Sequence, residues 1–372
     1  MQAKFHEKLT VGLFCGFLAV MMVLYLVLPK ATFSEREKRQ LSEMPVLNWE
    51  NLSSGQFGSN METYMADHMP GRNFFVGLGA YYDLLSGRQV SKDIYLAENG
   101  RLVEAPAVWN QAQIDKNMKY IQKFANNLEI PVDLMIVPSA GFMLQDQILG
   151  LHDAYLDDQI IENIYAIAED GQIGTVDLLT AFRQDGSSET LYYRTDHHWT
   201  SYGAYRAYHT YLRHLGQTPV GSNIFNVEAK PGFLGSTYSR SALWLTESET
   251  LDLWYGSQLT VTIGESTYDS PFFQDRLQEA DMYTVFLDGN QPLVRIRNEA
   301  NVGKGKLLVI RDSYSNCLGP MLAESFEEVV MIDLRYYKLS ASQLCAQEGF
   351  TNVLVAYSLS NFMTDSNFPF LR

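Results

Sequence analysis

Cysteine, basic charge and repetition are what this chain is short of. Only 3 of 372 residues are Cys. Cys15 lies in an apolar run, which leaves Cys317 and Cys345 as free thiols or as one bridge. Cysteine usage therefore does not fix the compartment. Lys and Arg number 28 against 43 Asp and Glu, a formal net charge of −15. That balance argues against general nucleic-acid binding, which needs a basic footprint. An anionic polymer would need a local basic pocket to approach. No internal repeat and no low-complexity tract is present. With 46% hydrophobic and 19% charged residues the chain is globular rather than disordered. Its length gives room for one large domain or two smaller ones.

What is there begins with Leu9–Leu28, LTVGLFCGFLAVMMVLYLVL, a run of 20 residues without a charge. As a helix it covers roughly 30 Å, enough to cross a hydrocarbon core. A core helix would show a polar face, and this run has none. A cleaved signal is the nearer rival, but the run is long for one and Val-Leu-Pro-Lys-Ala is a poor cleavage site. The expectation is a single N-terminal anchor. Lys4 and Lys8 precede the span, while Lys30, Arg36, Lys38 and Arg39 follow it, interleaved with Glu35 and Glu37. Basic residues alone would put the large domain inside, but long C-terminal domains translocate largely regardless of charge.

Three regions are expected: a cytoplasmic tail and transmembrane anchor over 1–29, a membrane-proximal helical and loop segment over 30–90, and a catalytic domain over 91–372. Asp93–Val103 reads as a hairpin, because two apolar runs flank Glu-Asn-Gly. Ile114, Met118, Ile121, Ala125 and Leu128 fall at helical spacing, and Val132–Val137 follows as a buried strand. Ile160, Ile161, Ile164 and Ile167 mark a second helix, and the 174–179 stretch the next strand. Thr200 or Ser201 caps a helix carrying Tyr202, Tyr205, His209 and Leu212, with Gly216 as its stop. Residues 217 to about 304 lose the rhythm and read as a β-rich insertion. Alternation resumes with strands near 307–311, 329–333 and 353–356 and helices near 315–326 and 340–347. Strands alternating with helices imply an α/β fold with a parallel sheet covered on both faces. Such sheets carry their sites at the carboxyl ends of strands.

Two motifs sit at such ends. In Thr195-Asp-His-His-Trp-Thr200, an extended backbone would put Asp196 and His198 on one face, roughly 7 Å apart at Cα. Asp196 would then fix the tautomer of His198, whose other nitrogen faces a nucleophile. His197 would point the opposite way, and neighbouring histidines rarely ligate one ion, so no metal is expected. In Ile310-Arg-Asp-Ser-Tyr314 a strand-to-helix turn exposes Ser313. The helix N-terminus would offer N–H groups to a developing oxyanion. Taken singly, each motif is more often a cap than a site. Together they supply a weak nucleophile with the base it needs.

On these residues the chain resembles the DHHW family of bacterial proteins, related to the SGNH hydrolase-like O-acetyltransferases that modify alginate. The resemblance covers most of the chain after the apolar run. It rests on Asp196-His197-His198-Trp199, Phe286-Leu-Asp-Gly-Asn290, Ile310-Arg-Asp-Ser-Tyr314 and Ile332-Asp-Leu-Arg-Tyr-Tyr337. It implies an SGNH-hydrolase-like (flavodoxin-like) fold with Asp and His ahead of Ser. It further implies Asp196 as orienting residue, His198 as base and Ser313 as acyl-carrying nucleophile, with no cofactor. The implied function is O-acetylation of a cell-surface or exported polysaccharide, with the catalytic domain outside the cytoplasm. A membrane-bound O-acyltransferase is the implied donor partner. Arg311 stands where a Gly precedes the Asp-Ser of the family pattern, and separate oxyanion blocks are not evident. Asn290, Tyr314, Arg311 and Trp199 are the candidates for oxyanion or substrate contacts. Tyr192, Tyr193, Trp199, Tyr202 and Trp244 are candidates for a sugar-stacking rim. An esterase would use the same triad, whereas in a non-catalytic glycan-binding or scaffold protein of the envelope the triad would be vestigial.

Overall fold

In the middle of the larger unit lies the strand Lys306–Arg311, whose apolar residues are buried on both faces. Leu307 and Val309 enter one core, Leu308 and Ile310 the other. A strand that reads as a continuous apolar run belongs at the centre of a sheet with both faces covered. That is its position in this computed structural model, which describes residues 2–88, 90–91, 93–186 and 188–372. It pairs in parallel with Glu328–Ile332 on one side and with Asn352–Ser358 on the other. Val132–Val137 and then Gly174–Thr175 continue the parallel half. On the far side Leu293–Arg297 pairs antiparallel with Glu328–Ile332, followed by Thr260–Ile263 and Ser266–Tyr268.

The sheet is therefore eight-stranded and mixed, not parallel throughout. Three strands of the 217–304 stretch do not lie in an insertion beside the sheet but form its antiparallel wing. Only Asn226–Phe233 and Glu249–Tyr255 form a separate two-stranded hairpin. Two further expectations are corrected. The strand expected over 174–179 stops at Thr175, because Asp177 caps a helix, Leu178–Asp185, by accepting from Thr180 N at 2.9 Å. The helix expected near 315–326 is a 3-10 turn, Ser313–Asn316, followed by the short helix Leu318–Leu322.

Other elements lie where the sequence places them. The hairpin pairs Ile94–Leu96 with Leu102–Glu104. Arg101 N closes on Glu98 O across Asn99 and Gly100, both at positive φ, as a hairpin turn of this type requires. Helices span Gln111–Ala125, Asp157–Asp170, Ser201–His214 and Ala341–Glu348.

The chain divides into two compact units: Met1–Gly87 with Ala242–Trp244, and Arg88–Ser241 with Leu245–Arg372. The first contains the helix Gln2–Val27, within which His6–Val27 is long and apolar enough to cross a membrane. It also contains helices Trp49–Ser53, Gln56–Asp67 and Arg72–Leu85. Arg39 holds Asp67 through both terminal guanidinium nitrogens, and Arg72 reaches Glu37 at 2.9 Å. Trp244 packs on Gly77 and donates to Asn73 O at 2.8 Å. Cys317 and Cys345 are free thiols.

Candidate active site

The segment carrying Asp196 and His198 is a tight bend rather than an extended strand. Tyr192 bridges Trp199, Tyr193 N donates to His198 O at 3.2 Å, and Thr200 N donates to Leu191 O at 2.9 Å. Thr200 then caps the helix Ser201–His214 by accepting from Gly203 N at 3.1 Å. Only glycine allows that closure at 203, since a Cβ there would lie 2.9 Å from Trp199 Cβ and nearer still to Leu191 O. At the other end of the bend Glu249 accepts from Arg194 N at 2.8 Å, Thr195 N at 2.7 Å and Thr195 Oγ1 at 2.6 Å. Burial pushes the Glu249 carboxyl up, although these donors and Arg194 oppose it.

Inside the bend Asp196 is almost fully enclosed. Its Oδ1 accepts from His198 N at 2.9 Å and faces His198 Nδ1 at 2.6 Å, while Oδ2 accepts from Ser236 N at 2.6 Å. Burial works to raise this carboxyl, but the two imidazoles and the hydrogen bonds outweigh it and hold it well below the usual range. A carboxylate at Nδ1 fixes the proton there and leaves Nε2 as the acceptor. His198 Nε2 lies 2.8 Å from Ser313 Oγ. The structure thus brings Asp196, His198 and Ser313 into one hydrogen-bonded chain across 115 residues of sequence. Ser313 is 9% exposed, more than Asp196 at 2% or His198 at 5%, so the chain opens outward at its serine end.

His197 does not point away. Its ring lies 3.8 Å from that of His198, and its Nδ1 is 2.5 Å from Ser236 Oγ. Alternation of side chains belongs to extended backbone, and a bend does not keep it. Burial and the neighbouring His198 hold the His197 ring below its ordinary pKa, with Asp196 opposing.

Ser313 is presented by the end of Lys306–Arg311. Asp312 caps the turn by accepting from Tyr314 N at 3.0 Å. Its other oxygen accepts from Ser358 N at 2.8 Å, Ser358 Oγ at 2.7 Å and Asn361 Nδ2 at 2.8 Å. The serine is therefore anchored to the carboxyl end of the neighbouring parallel strand.

Of the four residues expected to contact an oxyanion or substrate, Trp199, Tyr314 and Arg311 are buried and hydrogen-bonded to neighbouring elements, while Asn290 is exposed. Trp199 is fully buried and donates to Tyr314 O at 2.8 Å and Cys317 Sγ at 3.1 Å, tying the two motifs together. Tyr314 is buried and donates its hydroxyl to His197 O. Arg311 is buried, 3.5 Å from Asp333, and donates to Asn290 Oδ1 at 3.3 Å. Asn290 lies at the surface, and its oxygen also accepts from Asn316 at 3.2 Å. Nor do the four candidate aromatics of the larger unit form an open rim. Tyr192, Tyr193 and Trp199 are core residues, Tyr202 is half-buried with its hydroxyl on Asp185, and Trp244 belongs to the other unit.

One residue with no sequence signal lies directly on His198. Tyr283 stacks on His198 with centroids 3.9 Å apart and planes 6° from parallel. Its hydroxyl faces Cys317 Sγ at 3.4 Å. Burial pushes the Cys317 thiol up to about 11, so little thiolate is present to compete with Ser313. Asp196, His197 and His198 place donor atoms within 4.8 Å of one another, close enough for a cation. Both Asp196 oxygens and both His198 nitrogens are already committed, however, and a metal ion would have to break the Ser–His–Asp chain.

Residues 94–231 match the family described as an SGNH hydrolase-like domain, acetyltransferase AlgX. Over 110 residues, 29% of this chain, the sequence is 28% identical to a probable alginate O-acetylase AlgJ of Azotobacter vinelandii. That match spans 28% of the AlgJ length. A DHHW family protein from Eubacterium siraeum superposes with a TM-score of 0.62 at 23% identity, over 76% of this chain and 95% of the other. Bacillus cereus PatB1 superposes with a TM-score of 0.62 at 20% identity, over 74% of this chain and 99% of the other.

Proposed function

Because the chain carries an SGNH hydrolase-like fold, similar in sequence to AlgX and AlgJ and in structure to a DHHW family protein, we propose that it is a serine-dependent acyltransferase. In this reading it O-acetylates a cell-surface or exported polysaccharide. The observation that carries it is the hydrogen-bonded chain Ser313–His198–Asp196, at 2.8 Å and 2.6 Å. Ser313 Oγ attacks the carbonyl of an acetyl donor while His198 Nε2 takes its proton. Collapse of the tetrahedral adduct breaks the bond to the leaving group, which receives that proton and leaves acetyl-Ser313. A sugar hydroxyl then gives its proton to His198 and attacks the acetyl carbonyl. The proton returns to Ser313 as the ester product departs. Throughout, Asp196 stabilises the transient imidazolium.

The His6–Val27 helix serves as a single-pass anchor, with the larger unit on the extracytoplasmic side where an exported polymer is met. A membrane-bound O-acyltransferase delivers the acetyl group to the same face.

The test uses the full chain in detergent or vesicles with p-nitrophenyl acetate as donor. Ser313→Ala and His198→Ala are each expected to lower kcat by about 10⁴-fold or more, as loss of either member of such a unit does. Added acceptor glycan diverts acetyl from water to sugar. Undiminished acetate release with acceptor present would make the protein an esterase. Equal turnover by folded wild type and Ser313→Ala would remove the catalytic reading.

A further inference from the structure

Within the membrane-proximal unit, Met44, Val46, Leu47, Trp49 and Leu52 are exposed along one segment, and a second set of exposed apolar residues is gathered on a single helix. On the helix Arg72–Leu85, Phe74, Leu78, Tyr82 and Leu85 are 66%, 54%, 69% and 88% exposed. Their spacing of four, four and three puts them on one stripe. The opposite face of the helix is closed: Gly77 and Ala80 are buried, and Trp244 lies against Gly77. A solvated helix would carry charge on its outer face, and this one carries aromatics and leucines.

The level at which the unit meets the first helix identifies what covers the stripe. An apolar groove is lined by Met21, Tyr25 and Leu26 from the long helix, by Met65 from the last turn of Gln56–Asp67, and by Met69 and Pro70 from the chain that follows it. The span His6–Val27 has 22 residues, which at about 1.5 Å each gives roughly 33 Å, little more than a hydrocarbon core. Met21 lies about 9 Å below the helix end on the same rise. It sits under the headgroups whenever the helix spans. Met65 and Met69 line the same groove, which lies along the last two turns of the span from Met21 to Leu26. Lys30 marks the boundary above them: its ammonium lies 3.5 Å from the Tyr25 ring centroid and bonds back to Tyr25 O. A lysine reaching past an aromatic belt is how a span ends at the interface.

We propose that the segment from Met65 through the outer stripe of the Arg72–Leu85 helix is seated in the bilayer interface, its occupant being lipid. Pro70 lines the groove and Gly71, at φ 68°, turns the chain directly into the helix, so Phe74 is one turn from the embedded level. Phe74 and Phe75 pack edge to face at 5.4 Å, forming a compact aromatic wedge at that turn. An interfacial helix needs an apolar face of this kind and does not need to cross. The proposal rests on the spanning role of His6–Val27, and the experiment separates the two.

The full chain is reconstituted into phosphatidylcholine vesicles with no other protein, bearing one environment-sensitive fluorophore on a single accessible cysteine. Cys345→Ser is the background, and Cys317 is buried. Native Cys15, within the span, reports the anchor. Phe74→Cys and, separately, Leu78→Cys, each with Cys15→Ser, report the stripe. The expected result is quenching of both stripe probes by nitroxide on lipid chains, with loss of quenching by aqueous iodide. Stripe probes quenched by iodide and not by lipid, while Cys15 is lipid-quenched, would overturn the proposal and leave the face to a protein partner. A Cys15 probe that lipid nitroxide does not quench would overturn the spanning helix, and the interfacial seat with it.

Discussion

Gly235→Ala is the most demanding test of how Asp196 is held, because it adds one methyl group and removes no catalytic atom. Gly235 is not in the left-handed region, so alanine there costs nothing in backbone conformation. What it meets is Asp196: the new Cβ would lie 2.6 Å from Asp196 Cα, and closer still to its Cβ and Oδ2. Non-bonded carbons rest about 3.5–4.0 Å apart. Asp196 must therefore retreat by roughly 1 Å, and its bond from Ser236 N cannot survive unchanged. A misplacement of about 1 Å in a catalytic array costs about 10²-fold. Outright loss of the carboxylate, as in Asp196→Asn, costs about 10⁴-fold. The expected fall in kcat lies between these limits, with KM little changed because no substrate contact is touched. Overpacking should also cost about 1–3 kcal/mol of stability. The assay is p-nitrophenyl acetate turnover with circular dichroism and urea unfolding on the same preparations. A folded Gly235→Ala protein with wild-type kcat would refute the claim that this contact sets the position of Asp196.

Two other outcomes follow from the same geometry. Tyr283→Leu removes the ring stacked 3.9 Å from His198 and should lower kcat more than it raises KM, whereas Tyr283→Phe keeps the ring and should retain most activity; equal losses in both would point to the Cys317 contact instead. The Asp196 carboxyl is depressed in the folded state, so its contribution to stability is complete above the unfolded value of about 3.9 and drains away as pH falls below it. Urea unfolding of wild type and Asp196→Asn should therefore differ most near neutral pH and converge in acid, and a gap that widens on acidification would reverse the sign of that argument.

The parallel half of the sheet was legible because burial on both faces writes itself as uninterrupted apolar runs, as in Leu307–Ile310 and Val353–Ala356. The antiparallel wing was written differently. Val261 alternates with Thr260 and Thr262, and Val294 and Ile296 with Arg295 and Arg297, the period-two pattern of half-buried strands. The stretch 269–292 separates Leu293–Arg297 from the other two short strands of the wing, so the pattern reads as an insertion. The 174–179 stretch failed for another reason. Its Val176, Leu178 and Leu179 suit a strand or a short helix equally, and the capping carboxylate of Asp177 decides for the helix.

At the site, the residues proposed to do chemistry carry local signals and those that position them do not. Asp196 and His198 are two residues apart, and Ser313 ends an obvious strand, so spacing and strand position reach all three. Gly235, Ser236, Glu249 and Tyr283 come from the stretch with no rhythm, and nothing in their neighbours marks them. Each acts by closeness: a missing Cβ, an N–H, a carboxylate closing a bend, a ring lying on a ring. The misreading of His197 has the same origin. Its direction depends on the bend at 192–199, and that bend exists because Glu249 satisfies the backbone N–H groups of Arg194 and Thr195 from a strand 54 residues away. A sequence pattern carries direction only while the backbone is regular. Where a distant carboxylate substitutes for a regular hydrogen-bond partner, the direction of a side chain becomes a tertiary property, legible only once the fold is known.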